Sequence, residues 1–144
     1  MWQNRILRFL SRVSGTRFWR WIAKNREFSA WIPAAFWAFT VFVLSVSPKG
    51  VTPPVQIHHI DKVFHFSAYA FFAFLMLCGV KWSLRWPFMR YMAFALIFTS
   101  AYGILMEIFQ GFIPSRHMSG VDVIFNTLGA FVGTVFGRLV LWRI

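Results

Sequence analysis

Four residues in the chain are acidic, and three of them, Asp61, Glu107 and Asp122, stand at or inside its most apolar stretches. An ionised Asp at the centre of a membrane helix costs about 2.5–3.5 kcal/mol on insertion scales, so such groups mark sites by default. Asp61, His65 and Tyr69 recur at i, i+4 and i+8 and share one helix face, with Lys62 beside them. Glu107 and Gln110 are spaced i, i+3, with Gly103 a turn earlier, and Asp122 and Asn126 are spaced i, i+4. Arg116 lies between these two pairs. Lys62, His65 and Arg116 suit contact with phosphate, and the Gln110 and Asn126 amides suit hydrogen bonding to sugar or peptide. Glu107 with His65 as partner is also a candidate acid/base pair for catalysis. Imidazole and carboxylates together suit zinc or manganese. With no tight ligand cluster on one helix and Cys78 as the only cysteine, the sequence leads us to expect neither metal nor cofactor. H-E-x-x-H, G-x-S-x-G and the P-loop are all absent, so whether the chain is an enzyme stays open.

Plainer explanations exist for most of these groups. Asp61 is placed to N-cap a helix. Ser119 and Asp122 have the S-x-x-D spacing of a capping box, with Asp122 at the third helical position. His65 could be a hydrogen-bonding link between helices. Capping fails for Glu107, which falls toward the C-terminal end of its apolar run, where the helix dipole disfavours negative charge. Glu107 must therefore be neutral, paired with a cation such as Arg116, or open to water. It is the residue most in need of a functional explanation.

The elements that position these residues are legible from composition. The chain is 58% hydrophobic and only 13% charged, against about a quarter charged in soluble domains, so a membrane protein is indicated. Four apolar runs, at about 30–46, 63–80, 91–113 and 121–142, are each near the ~20 residues that cross a bilayer as helix. A chain this short could not bury four helices that are apolar all round. The expected fold is all-α: a four-helix transmembrane bundle over residues 28–144, preceded by a basic amphipathic segment over 1–27. Ser45-Val46-Ser47 resembles a signal-peptide cleavage site, but Pro48 follows it and the basic region before the first run is too long, so a retained helix is expected.

Charge sets the orientation. Twelve of the fifteen Lys and Arg fall on one side of the predicted spans; Lys49, Lys62 and Arg116 fall on the other. By the positive-inside rule both termini are expected in the cytoplasm, with Asp61, Glu107, Asp122 and their neighbours in the outer leaflet. In the N-terminal arm Trp2, Ile6, Phe9, Leu10 and Val13 recur at helical spacing, with Arg5, Arg8 and Arg12 on another face. That pattern suits a helix lying among anionic lipid headgroups and argues against nucleic acid as the target of the +11 net charge. Gly129, Gly133 and Gly137 form a GxxxGxxxG row on the face of Asp122 and Asn126, expected to pack inside the bundle, with a homodimer seam as the alternative.

DKVFHFSAYAFFAFL at 61–75 and YGILMEIFQGFIPSRHMSGVDVIFNTLGAFVG at 102–133, in that order and spacing, resemble the VanZ-like family of small bacterial membrane proteins. The family pattern maps onto Asp61, Lys62, His65, Tyr69, Glu107, Gln110, Pro114, Arg116, Asp122, Asn126 and Gly129. The motifs cover about half of the chain, and its first 50 residues carry none. The family name comes from a member associated with low-level resistance to the glycopeptide teicoplanin, which implies a role in the bacterial cell envelope and a place in the cytoplasmic membrane. Three functions then compete. The leading one binds a lipid-linked envelope precursor or an amphiphilic antibiotic by its polar head. The second is an enzyme on a lipid headgroup using Glu107 and His65. The third is a ligand-free polar network that fixes helix register.

Overall fold

The computed structural model describes residues 21, 24–47, 60–114 and 116–141. Nearly all of the amphipathic arm expected over 1–27 lies outside the described residues, as does the connection at 48–59. Four long helices hold the fold: α1 (Ile32–Val46), α2 (Ile60–Ser83), α3 (Phe88–Gly111) and α4 (Gly120–Leu141). A single helical turn, Arg26–Ser29, leads into α1. All four are long and apolar enough to cross a membrane, the first counted from Arg26. No strand occurs among the described residues. A helix satisfies its own backbone hydrogen bonds, which lipid cannot do, so apolar runs of this length have no other stable form there.

The helices overrun the apolar runs where polar residues can still reach the interface. α2 starts at Ile60 and takes in Asp61 and Lys62 before the run begins at Val63, and it continues through Lys81 to Ser83. Prolines set several ends. Pro33 occupies the first turn of α1, where its missing N–H costs nothing. Pro87 is the N-cap of α3. Ser47, just before Pro48, is extended (ψ 135°) and closes α1, as expected of a residue preceding proline.

α2 and α4 form the tightest pair, and the glycine row is the reason. A Cβ at Gly129 would overlap the Phe66 carbonyl, and one at Gly133 would overlap the Ala70 carbonyl. At Gly137 it would come within 2.7 Å of Leu77 Cδ2. The row is therefore covered by α2 inside the chain and is not an exposed dimer seam. Phe72, Leu77 and Val80 of α2 are fully buried, while in α1 the buried residues are Ala34, Val41 and Ser45. Aromatic donors tie α1 to its neighbours: Trp37 Nε1 donates to the Ala68 carbonyl (2.9 Å) and Tyr102 Oη to the Ala38 carbonyl (2.7 Å). Outward-facing Phe36, Phe39, Ile97, Phe98, Phe131 and Leu139 make an apolar girdle suited to lipid.

The two ends of the bundle differ in charge. At one end Lys81 donates to the last α4 carbonyl, Leu141 (2.7 Å), a cation meeting the negative end of a helix dipole. Arg26 lies over the Trp82 ring and Arg138 over the Phe88 ring at this same end. The C-termini of α1 and α3 and the N-termini of α2 and α4 meet at the opposite end, and the candidate site is there.

Candidate functional site

α2, α3 and α4 each bring part of the predicted cluster to this end. Lys62 donates to Asp61 Oδ2 (2.9 Å) and across to Asp122 Oδ1 of α4 (2.5 Å), joining two carboxylates through one ammonium. One turn along α2, His65 Nδ1 lies 3.0 Å from Asn126 Oδ1 of α4 and 3.9 Å from Glu107 Oε1 of α3. Glu107 and Asn126 are each only 1% exposed, whereas the His65 side chain keeps 22% of its surface. The cluster thus opens at Asp61, Lys62 and His65 and closes inward at Glu107 and Asn126.

Glu107 meets a different partner from the one its sequence position suggests. Its Oε2 accepts the backbone N–H of Ser119 (3.1 Å), just before the first residue of α4. A carboxylate misplaced on the dipole of its own helix is thereby set at the positive end of the next one. This rearranges the predicted capping box. The Ser119 hydroxyl accepts the Asp122 N–H (3.2 Å), as the spacing requires, but the reciprocal bond to the Ser119 N–H comes from Glu107. The Asp122 carboxylate is left free for Lys62.

Arg116 does not join the carboxylates. Its Nε donates to the Ser47 carbonyl (2.8 Å) and its Nη2 to the Leu44 carbonyl (2.9 Å), closing the C-terminal end of α1. Both the open carbonyls and the dipole of α1 favour a cation there. Asp61 lies in the first turn of α2, a favourable place for negative charge, with its carboxylate on Lys62.

The remaining predicted residues form the inner wall. Tyr69 is 2% exposed and Gln110 5%, and the Gln110 carbonyl accepts the Ile113 N–H (3.1 Å) at the end of α3. Gly103 is the floor: a Cβ there would come within 3.1 Å of both Tyr69 Cε1 and Asn126 Cβ. The motif reading gave Gly103 and Ser119 no role in a site. Gly103 needs its small size because two other helices meet over it, and only the assembled bundle brings those helices together.

Among the described residues, two buried polar atoms in the cluster have no hydrogen-bond partner: Glu107 Oε1 and Asn126 Nδ2. Buried polar atoms are nearly always paired, so an orphaned carboxylate oxygen and an orphaned amide nitrogen in one cluster call for an explanation. One ligand atom each from His65, Glu107 and Asp122 lie within 4.8 Å of one another, so the group could also hold a metal ion.

A family model described as VanZ/LLP1 matches residues 6–141. The match takes in most of the N-terminal segment, where no motif is legible on its own. No curated protein and no solved structure matches the chain.

Proposed function

This chain belongs to the VanZ/LLP1 family of proteins, and from that premise we propose that it binds the polar head of a membrane amphiphile. The class we favour is a lipid-linked envelope precursor or an amphiphilic glycopeptide-type antibiotic. The observation that carries the reading is the pair of orphaned buried atoms, Glu107 Oε1 and Asn126 Nδ2, at the bottom of a cluster that opens through His65 and Lys62. An acceptor and a donor buried in one cluster match the hydroxyl and amide groups of a sugar or peptide head. Gln110, spaced i, i+3 from Glu107 along the same helix face, adds a further buried amide. The acyl portion would lie along the apolar girdle, so one molecule would use both the polar end and the lipid-facing surface. The excess of basic residues at the other end supports an outward-facing site in a cytoplasmic membrane, with both termini inside and the N-terminal arm on anionic headgroups. Roles in the cell envelope and in antibiotic resistance follow as proposals from such a ligand.

Delipidated protein in detergent, titrated with amphiphiles of defined head, tests this by thermal unfolding. Sugar- or peptide-bearing lipids should raise Tm while phosphatidylglycerol of equal chain length does not, and Asn126→Leu should remove the difference. Equal shifts with both lipids, or an unchanged response in Asn126→Leu, would sink the reading.

A second reading, catalysis on the bound head, is favoured by the approach of His65 to Glu107 Oε1 (3.9 Å). Glu107 would move a proton at Oε1 while Ser119 holds Oε2. In that case Glu107→Gln keeps ligand binding within a few-fold and loses turnover completely.

A further inference from the structure

The cluster has the charge pattern of a cation site. Asp61 and Asp122 share the ammonium of Lys62 while Glu107 lies beside His65, a formal charge of −2 with all three carboxylates ionised and His65 neutral, in a chain whose net charge is +11. Among the described residues Glu107 Oε1 is buried without a hydrogen-bond partner and points toward His65, although Oε2 of the same group is held by Ser119. A carboxylate fixed through one oxygen and bare at the other, in surroundings with little water, presents a ready ligand atom.

We infer that His65, Glu107 and Asp122 form a binding site for one divalent transition-metal cation of the zinc or manganese class. Their ligand atoms already lie within 4.8 Å of one another. Ligands held at about 2.0–2.2 Å from one ion sit roughly 3–4 Å apart, so shifts of about an ångström close the site. One imidazole with two carboxylates suits zinc or manganese better than calcium or magnesium, which take oxygen ligands almost exclusively. The three ligands come from α2, α3 and α4. Ser119 fixes the Glu107 carboxylate through Oε2, a supporting contact of the kind that orients metal ligands, and His65 Nδ1, the ring nitrogen 3.9 Å from Glu107 Oε1, would exchange its contact with Asn126 Oδ1 for the metal. Lys62 is the competitor, because its ammonium occupies Asp122 Oδ1.

Headgroup binding also calls on Glu107 Oε1, and a direct count of bound metal separates the two. Tag-free protein in detergent is stripped with chelator, dialysed, incubated with ZnCl2 or MnCl2 and desalted, and the metal per chain is measured by mass spectrometry. About one equivalent of at least one metal is expected, reduced tenfold or more in Glu107→Gln and in His65→Ala, and held at least as tightly in Lys62→Ala. A wild type that holds no more of either metal than Glu107→Gln overturns the site. So does metal that survives both Glu107→Gln and His65→Ala. If either variant does not elute as a monodisperse species, Asp122→Asn takes its place under the same criterion. A chain that takes no cation yet still responds to amphiphiles would overturn this inference and leave the headgroup reading standing.

Discussion

Glu107 is where the two levels of description differ most. Along the sequence it is a carboxylate at the wrong end of a helix; in the fold it caps the right end of another. Glu107→Leu would leave the Ser119 N–H without its partner and should lower stability by about 1–3 kcal/mol, whereas Glu107→Gln retains an acceptor and should stay close to wild type. Thermal unfolding of both variants in one detergent checks this, and equal losses would contradict the capping role. The Lys62–Asp122 pair is partly buried, with side-chain exposures of 20% and 12%, so its coupling should lie between the surface and buried cases, on the order of 1–3 kcal/mol. A double-mutant cycle of Lys62→Ala and Asp122→Asn would measure it, with zero coupling as the contrary result. The importance of Glu107 was legible in the sequence because the dipole argument is local. Its partner was not. Arg116 is the nearby cation along the chain, yet it serves α1, whose C-terminus precedes it by some seventy residues.

At the level of elements, the α2–α4 interface rests on backbone approaching backbone. Gly133→Ala places a methyl group where the Ala70 carbonyl stands, and should cost about 1–3 kcal/mol or abolish the folded species. Gly120→Ala is the internal control, since a Cβ there meets nothing within 4 Å, and should change Tm little. Arg116 ties α1 to the loop before α4 by two charge-assisted bonds. Arg116→Ala should release that contact and speed amide hydrogen exchange at the C-terminal end of α1, with no matching change in α2. The spacing of the glycine row foretold close packing. It could not say which helix would lie against it, because the i, i+4 pattern describes one surface and not its complement.

For the whole molecule, four spans were legible because run length and charge poverty are properties of the bilayer as solvent, independent of tertiary detail. Helix ends were less so, since hydropathy marks the apolar centre while helices such as α2 continue through Asp61 and Lys62 to the interface. The asymmetry of basic residues predicts the orientation. In a Cys78→Ala background, cysteine placed at Gln56 should react with an impermeant maleimide in intact cells, and cysteine at Arg85 only after permeabilisation. The reverse pattern would put the polar cluster on the cytoplasmic side and exclude an outward-facing ligand. The central claim is that the cluster retains the polar head of a membrane amphiphile, and native mass spectrometry of protein extracted with its own membrane lipids tests it most directly. The account predicts a one-to-one adduct bearing a sugar or peptide head, present in the wild type and absent in Asn126→Leu; a wild-type chain that emerges free of any such adduct, or an Asn126→Leu chain that keeps it, would contradict the account.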